Sequence, residues 1–456
     1  MRRVVKVSRI RIIITIIVVV LTTLLTGCTG KEPNEIAYVV ALGIDSTDDD
    51  NYKITIQYAN TTQISGGASE SGGKAGSEIV DNVTIEAPNI YAGVGLANNI
   101  VSKSFSMSHA KLIVFSKEIA EKGVKDMIET LVRSEEIRPD VFIAVANTTA
   151  NDYLTSVNPE MEVNPAQYYQ LIYQKNQLVG IPDGQLREFF TGLYTDNYDS
   201  ILPVAGVIEG SGGNSQNDDR EQSKDGQNEG SDGSSESLDS FESKSSDDKD
   251  ENEKEKDAEK NTSKYEYDIK NYVGGETAIE KKNKAEAIGA AVFEKDKMVG
   301  ELGEVETEIC KMLKGDYTYS YLTYYNNDTP DIPITVKTTQ QKKPKYKINT
   351  DKKTVDIELY IESDLYSLPA DYNVENKIED FERDVANYTS SACTEFINNF
   401  TKKYNSDILK LNEKVKYKFL TNNQYNWFKK NVGWSEYKFS VCTNFKVRRT
   451  GLIVRE

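Results

Sequence analysis

Hydrophobic residues follow the two-residue period of strands through much of the first part of the chain. Residues 36–45 are almost all apolar, which predicts a buried strand. Apolar and polar residues alternate over residues 52–58, so a hairpin partner is predicted for that strand. Residues 83–86 predict a short third strand, and residues 89–101 predict a helix. Between them, the Gly- and Ser-rich residues 65–77 predict a mobile loop.

Over residues 111–154 the spacing of apolar residues changes from strand-like to helical and then back to strand-like. Residues 111–115 form a short apolar run, and residues 118–133 place apolar side chains near helical spacing. Pro139 ends that helix, because proline disfavours helical geometry in the residue before it. Residues 141–146 are again continuously apolar and predict a strand, after which residues 152–154 begin a short helix. Strand, helix, strand in this order predicts a βαβ-like unit and a mixed sheet.

The second part of the chain begins with a predicted hairpin. Residues 285–293 and 298–302 are apolar and flank a polar turn. Residues 304–313 follow with apolar side chains four apart, which predicts a helix that ends at Gly315. Residues 355–361 alternate strictly and predict a further strand.

A long helix and a final strand complete the pattern. One face of residues 378–400 is apolar, and residues 437–447 alternate as a half-buried strand does. The second part is therefore predicted to pack a helix on an antiparallel sheet. For the whole chain, the predicted fold class is α+β, multidomain, with mixed and antiparallel sheets each packed with helices.

An acidic segment separates the two parts. Residues 209–260 hold 18 acidic and 7 basic side chains, with Leu238 and Phe241 as isolated large apolar residues. Such a composition cannot bury enough apolar surface to offset its ordering entropy, so we predict a disordered linker or insert. The predicted division is a signal peptide (1–27), an N-terminal α+β region (28–208), the acidic linker (209–265) and a C-terminal α+β region (266–456).

The N-terminus combines five basic residues with an apolar stretch over residues 12–24. This order is typical of a secretory signal peptide, and the stretch is short for a membrane-spanning helix, which needs roughly 20 apolar residues. The next residues, Leu25-Thr26-Gly27-Cys28, resemble the lipobox of bacterial lipoproteins. We therefore predict lipidation of Cys28, since several acyl chains anchor a protein stably. The alternative is an uncleaved N-terminal membrane anchor.

Charge narrows the range of partners. The formal net charge is −17, and much of it lies in the acidic segment. No basic stripe is present that could neutralise phosphates, so the sequence predicts no nucleic-acid partner. An acidic exterior also disfavours broad contact with anionic lipid, so we expect membrane attachment through the acyl chains.

Catalytic motifs are missing from the sequence. His109 is the only histidine, and we find no Gly-x-Ser-x-Gly elbow, P-loop or convincing dinucleotide fingerprint. His109 is expected to border the strand at Lys111, although it could pair with Cys310, Cys393 or Cys442. Each cysteine lies within a predicted helix or strand, which disfavours such a pair. One disulfide could form among the three, but we expect buried reduced thiols. The sequence thus predicts no catalytic, cofactor or metal site and favours a binding or assembly protein.

Several segments carry a family resemblance. They occur in order at residues 25–28, 41–45 (Ala-Leu-Gly-Ile-Asp), 109–115, 120–123, 133–139, 289–300, 306–307, 406–408 (Ser-Asp-Ile) and 447–452. Together they resemble the Ger(x)C family, the C-subunit lipoproteins of spore germinant receptors. The match runs over almost the whole chain beyond the signal peptide, apart from residues 209–260.

The resemblance implies a non-enzymatic subunit with three α+β domains. It implies an A-type membrane partner with a large soluble part and a B-type, transporter-like membrane partner. The complex would lie in the inner spore membrane, with this lipoprotein on the outer face, and would trigger release of ions and dipicolinate when nutrients arrive. Only Cys28 is carried over as a site residue, and the acidic segment departs from the family pattern.

Other interpretations stay open. The chain could be a lipid-anchored nutrient-binding protein that delivers its ligand to a transporter, or an exported hydrolase of wall polymers. Among the matched residues, Gly43, Gly123 and Gly300 are expected to serve turns. Arg133 is expected to pair with an acid or to cap a helix C-terminus, or else to contact a partner together with Arg138.

Overall fold

The computed structural model describes residues 14–18, 35–49, 51–59, 80–159, 162, 164–174, 180–195, 198–208, 271–277, 283–325, 333–367 and 377–450. Cys28, nearly all of the predicted signal peptide, the loop at 65–77 and the acidic segment before residue 271 lie outside the described residues.

A nine-stranded sheet dominates the first part of the chain. Its strands are β1 (Ile36–Ser46), β2 (Tyr52–Ala59), β3 (Val80–Ala87), β4 (Ser104–Ser106), β5 (Leu112–Ser116), β6 (Phe142–Ala146), β7 (Ile201–Val207), β8 (Ala285–Glu294) and β9 (Lys297–Leu302). The order is β3-β2-β1-β5-β6-β7-β8-β9, and β4 pairs with β1. Because β7 and β8 are antiparallel neighbours, the predicted β8–β9 hairpin extends this same first sheet.

The centre of the first sheet is parallel. Strands β1, β5, β6 and β7 run in one direction. Parallel neighbours need a crossover connection, and helices α2 (Lys117–Lys122) and α3 (Lys125–Val132) supply it between β5 and β6. The predicted βαβ-like unit and mixed sheet are therefore confirmed. Every residue of β5 and β6 is buried, as expected for strands covered on both faces.

Gly123 divides the single helix predicted over residues 118–133. Its φ of +123° lies outside helical geometry, so α2 ends just before it and α3 begins just after it. This positive φ strains any residue that carries a Cβ, which favours glycine at this position. The expectation that Gly123 serves a turn is confirmed, and the continuous helix is wrong.

The remaining helices of the first part cover both faces of the first sheet. They are α1 (Ile90–Ala97), α4 (Ala150–Ser156), α5 (Pro165–Gln174) and α6 (Leu186–Thr195). One core joins the sheet to α1, α2, α3 and α6, and the other joins it to α4 and α5. The α1 helix begins directly after Asn89, which caps it by accepting a hydrogen bond from Ala92 N, and it ends at Ala97, four residues before the predicted end.

A five-stranded sheet forms the centre of the second part. Its strands are β10 (Tyr319–Tyr325), β11 (Pro333–Gln340), β12 (Lys345–Asn349), β13 (Thr354–Ser367) and β14 (Lys438–Arg449). The pairs β10–β11, β11–β13 and β12–β13 are antiparallel, whereas β13 and β14 are parallel. The predicted antiparallel sheet is thus wrong for one pair. Several helices connect β13 to β14, and such a long crossover allows a parallel pairing.

Helices cover one face of the second sheet. They are α7 (Glu304–Lys314), α8 (Ile378–Tyr404), α9 (Leu411–Val415) and α10 (Asn422–Asn431). The α8 helix packs on β14, whose burial alternates residue by residue as predicted. The α7 helix ends at Gly315, with φ of +85°, also as predicted. The α+β fold class is confirmed.

Two other glycines do not serve turns. Gly43 lies inside β1, where a Cβ would be 3.0 Å from Leu154 Cδ1 of α4. Gly300 lies inside β9, where a Cβ would be 2.2 Å from the Tyr404 ring of α8. Both positions allow a close approach of another element, so the prediction of turns at Gly43 and Gly300 is wrong.

Candidate functional site

The two sheets are joined where the chain enters β7 and where it leaves α8. Asp199 N donates a hydrogen bond to Asp407 O (3.1 Å), and Asp407 N donates one to Asp199 Oδ2 (2.8 Å). The other oxygen, Asp199 Oδ1, accepts from Lys295 N in the β8–β9 turn (3.1 Å). Asp199 therefore connects three segments that are distant in sequence. We call this region, residues 198–200 with 405–412, the joint.

Asp407 is the buried centre of the joint. Its two carboxylate oxygens accept hydrogen bonds from Leu411 N and Asn412 N, both at 2.8 Å, at the beginning of α9. Burial is the largest influence on this carboxyl group and raises its pKa to about 7, although the two backbone hydrogen bonds act in the opposite direction. The charge of nearby Asp199 adds to the rise. Asp407 therefore changes protonation near neutral pH.

An ion pair reinforces the joint. Lys410 Nζ lies 2.5 Å from Glu188 Oε1 of α6 and 4.2 Å from the centroid of the Tyr198 ring. Tyr198 in turn donates a hydrogen bond to Glu188 O (3.0 Å). Burial alone would raise the pKa of Glu188, but the hydrogen bond from Lys410 and nearby lysine charges bring it below its usual value. Glu188 is therefore ionised and paired at neutral pH.

A polar cleft of about 630 Å³ opens beside the joint. Its lining includes Asp199, Lys295, Asn412, Lys430 and Trp434. Asn412 also accepts a hydrogen bond from Trp434 Nε1 at 3.1 Å, which fixes one wall. The size is in the range of small-molecule sites, and both charge signs are present. The cleft has the dimensions and polarity to admit a small polar solute.

The sequence-predicted residues lie elsewhere. Cys28 is outside the described residues, and its acylation stays a prediction. His109 borders β5 as expected, with its ring centroid 4.8 Å from that of Tyr38. Arg133 caps the C-terminus of α3 and pairs with Glu129 (3.1 Å), as one interpretation predicted. Arg138 pairs with Asp140 (3.0 Å).

The cysteines divide into two groups. Cys310 and Cys393 are buried and free, as predicted. Burial raises the pKa of Cys310 to about 11 and that of Cys393 to about 12, so both thiols are protonated at neutral pH. Cys442 is also free but exposed, because it points away from α8 on β14. The prediction of burial is wrong for Cys442.

Asp45 belongs to a matched motif but serves the first sheet. Its carboxylate accepts hydrogen bonds from Ala150 N (2.6 Å) and Asn151 N (3.0 Å), at the beginning of α4. This carboxylate therefore connects the end of β1 to α4. Burial raises its pKa, and the two backbone hydrogen bonds oppose that rise.

Sequence reasoning missed most of the joint. Residues 406–408 stood out only through the family resemblance, and Glu188, Tyr198, Asp199 and Lys410 were not singled out. The available signal was the polar Asn-Ser-Asp sequence directly after the long predicted helix. That signal marks a helix end without indicating its partner.

Within the described part of the chain, no helix is long and apolar enough to cross a membrane. In the same residues, no cluster of three or more His, Cys, Asp or Glu side chains could hold a metal ion.

Comparisons with known proteins gave matches over both sheets. A family model described as "Spore germination protein N-terminal domain" matches residues 30–207, and one described as "Spore germination B3/ GerAC like, C-terminal" matches residues 288–451. The chain is similar to spore germination protein KC of Bacillus subtilis, with 26% identity over 35% of this chain and 42% of that protein. It is also similar to the putative spore germination protein YfkR of Bacillus subtilis, with 28% identity over 32% of this chain and 37% of that protein.

These alignments span less than half the length of either curated relative. Among solved structures, the crystal structure of the GerBC protein aligns with a TM-score of 0.47 and 15% sequence identity. That alignment covers 89% of this chain and 96% of the GerBC chain.

Proposed function

Because the chain belongs to the spore germination GerAC family, we propose that it is a lipid-anchored, non-enzymatic subunit of a spore nutrient germinant receptor. The observation that carries this proposal is the ordered match of both family models, one to each side of the acidic segment. The subunit would work with A-type and B-type membrane subunits on the outer face of the inner spore membrane.

The anchor in this proposal is acylated Cys28, after removal of residues 1–27. Acyl chains hold a protein at a surface and raise its local concentration near membrane partners. The folded regions at 28–208 and 266–456 would then present fixed faces to the two partners. The joint supports this role, because Asp199 and Asp407 hold the first sheet and the α8–α9 turn together.

The acidic segment is compatible with the proposed receptor role. In the sequence it lies between β7 and β8, which are antiparallel neighbours in the first sheet. Loop-closure entropy grows slowly with length, so an insert of residues 209–265 costs little stability there. We propose that it is a linker-like insert that leaves receptor assembly intact.

Deletion of the gene tests the receptor role. Purified spores of the deletion strain are given a panel of nutrients, and dipicolinate release is measured alongside a germinant that bypasses receptors. We expect loss of the response to particular nutrients with the bypass response intact. An unchanged response across the panel, in a strain that lacks related receptor genes as well, would contradict the role.

Complementation tests the anchor. A Cys28→Ser chain cannot be acylated at that position, so we expect the subunit to leave the membrane fraction and the nutrient response to fall. A Cys442→Ser chain is the matched control, because that exposed thiol makes no disulfide. Full membrane retention and function of Cys28→Ser would contradict acylation as the anchor.

The cleft supports a second candidate function. A polar cavity of about 630 Å³ beside the joint is what a nutrient-binding protein would need. Under this function, an amino acid or sugar at 100 times its Kd would stabilise the protein by about 2.7 kcal/mol, seen as a rise in Tm. No rise with any nutrient that triggers germination would remove this candidate and leave the receptor role standing.

A further inference from the structure

The strand β10 forms one outer edge of the second sheet. Among the described residues, β11 is its only neighbour in that sheet, and all of Tyr319–Tyr325 pair with β11. The outer side of an edge strand presents a row of backbone N–H and C=O groups that can pair with another extended chain. The chemistry of this edge therefore fits a β-strand as its partner.

The β10 strand differs from the other outer strands in charge. Its sequence, Tyr-Ser-Tyr-Leu-Thr-Tyr-Tyr, contains no charged residue and no proline. The other outer strands of five or more residues all carry charged side chains. These are Asp81 and Glu86 in β3, Lys297 and Glu301 in β9, Lys345 and Lys347 in β12, and Lys438 and Lys446 in β14. Charges on an edge prevent pairing with another edge, and β10 lacks this protection.

One side of β10 lies on the face of the second sheet that α8 does not cover, and it carries tyrosine rings. Tyr321 is 53% exposed, and its ring centroid lies 5.4 Å from that of Tyr366 on β13 and 6.5 Å from that of Tyr319. Lys337 Nζ of β11 lies 4.4 Å from the centroid of the Tyr319 ring. These contacts place the four side chains together on one face, where a strand added to β10 would cover Tyr319 and Tyr321.

The other side of β10 belongs to an apolar core that reaches the edge. Tyr324 is buried against Phe381 of α8, with the ring centroids 6.1 Å apart. Leu322 packs on the same core but is only partly buried, and so is Tyr388 of α8. A strand beside β10 that presents an apolar residue on this side would complete the cover of the core.

We propose that β10 pairs with β10 of a second copy of this chain, antiparallel and with Leu322 opposite Leu322. This register pairs all seven residues of the strand. Opposite residues of antiparallel strands lie on the same face, so Leu322 meets Leu322 on the helix side and Tyr321 meets Thr323 on the other side. Both copies then carry α8 on the same face of one continuous sheet, and a two-fold axis closes the contact.

Self-pairing suits β10 and does not suit the charged edges. Paired symmetrically with its copy, β12 would set Lys347 opposite Lys347, and β3 would set Asp81 opposite Glu86. Like charges directly opposite each other destabilise a pair of strands, whereas pairs of aromatic and β-branched residues contribute roughly 0.2–1 kcal/mol each. Two copies of β10 meet without any like-charge pair. The second copy is therefore the strand that the side chains of β10 fit.

The length of β10 sets the expected strength of the dimer. Seven residues extend over about 23 Å. Pairing along such a strip buries less than the roughly 1,200 Å² of a stable complex. We therefore expect a weak dimer whose population depends on protein concentration.

Charge substitutions test the pairing in both directions. Tyr321→Lys with Thr323→Lys sets lysine opposite lysine in the dimer, and Tyr321→Glu with Thr323→Glu sets glutamate opposite glutamate. Sedimentation velocity of detergent-solubilised full-length protein should show dimers of the parent at high concentration and only monomers of either double variant. An equal mixture of the two variants should dimerise again, because opposite charges then lie opposite each other. That recovery would also show that both variants are folded.

The matched control is Tyr417→Lys with Leu420→Lys. These side chains are 92% and 94% exposed and lie between α9 and α10. The control removes two exposed apolar groups and adds the same charge outside β10, so it should dimerise as the parent does. Loss of the dimer in this control would attribute association to another apolar surface and overturn the proposal.

Crosslinking in membranes tests the register. In a Cys442→Ser chain, a short bis-maleimide should join Leu322→Cys to its copy by forming a thioether with each thiol. Cys310 and Cys393 are buried and do not compete. Tyr319→Cys is the matched control, because six residues of strand, about 20 Å, separate it from the same residue of the second copy. It should not crosslink.

Several outcomes would overturn the proposal. These are a monomeric parent at every concentration up to about 300 µM, no recovery in the mixture, or equal crosslinking at positions 319 and 322. Crosslinking of position 322 to a different protein would show that the edge binds that protein and not a second copy. Dipicolinate release measures the receptor role separately, so failure of the self-pairing and failure of the receptor role are distinguishable.

Discussion

The two sheets bury their strands differently. In the first sheet, all residues of β5 and β6 are buried, because helices cover both faces. In the second sheet, β14 alternates buried and exposed residues, because α8 covers one face only. The open face carries polar pairs such as Ser440 with Asp356 (2.7 Å). A substitution should therefore cost stability at every position of a central first-sheet strand but at every second position of β14.

The largest effects should occur in β5. Phe115 belongs to the core on one face and Leu112 to the core on the other. We expect Phe115→Ala to lower the free energy of unfolding by about 3–5 kcal/mol and Leu112→Ala by about 2–5 kcal/mol, measured by urea denaturation. In β14, Phe445→Ala should cost as much as Phe115→Ala. A small effect of Leu112→Ala would mean that the second face is not tightly packed.

The next largest effects should come from two buried aspartates, Asp407 in the joint and Asp45 in the first sheet. Asp407→Ala leaves two backbone N–H groups of α9 without their acceptor and should cost about 2–4 kcal/mol. Asp45→Ala does the same at α4 and should cost a similar amount. Only Asp407→Ala should shift the emission of Trp434, whose Nε1 donates to Asn412 of α9. An equal shift in Asp45→Ala would show that the joint is not an independent feature.

The stability that the joint contributes should depend on pH. The pKa of Asp407 is raised to about 7, so the folded protein keeps a proton that the unfolded chain loses near pH 4. The contribution of Asp407 to the free energy of unfolding is therefore full below about pH 4 and is lost as the pH rises to about 7. An asparagine at this position stays neutral at every pH. Asp407→Asn should therefore make the free energy of unfolding fall less steeply between about pH 4 and pH 7.

Glu308 on α7 allows a second test of how the free energy of unfolding depends on pH. Burial raises its pKa to about 7 as well, against a hydrogen bond from Ser320 Oγ. Glu308→Gln should flatten the decline separately, and the two effects should add because the residues share no partner. Urea denaturation at several pH values measures both. A slope unchanged by Asp407→Asn would contradict a raised pKa at the joint.

The smallest effect should be found on the open face of the second sheet. Cys442 is exposed between the buried Val441 and Thr443. We expect Cys442→Ser to change the free energy of unfolding by less than about 0.5 kcal/mol. Cys393→Ser, at a fully buried position of α8, is the contrasting variant and should be clearly destabilising. Equal costs would mean that the open face is covered by another part of the protein.

Local patterns predicted most of the elements. Alternation identified β2 and β14, continuous apolar runs identified β1 and β6, and four-residue spacing identified α7 and α8. The failures have local causes as well. Apolar spacing continues across Gly123, so periodicity alone does not reveal that its positive φ separates α2 from α3. Elements without a clear pattern were not predicted: the strands β4, β7, β10, β11 and β12, and the helices α5, α6, α9 and α10.

The sequence by itself determined the most regular elements, the α+β class, the acidic segment and the family resemblance, because periodicity, composition and motif order can be read along the chain. Only the tertiary structure decided which strands are neighbours, that β13 and β14 are parallel, and that Gly43 and Gly300 admit other elements. It also brought Asp199 to Asp407. These features depend on contacts between residues far apart in sequence, and long-range contacts form through packing that no local pattern specifies.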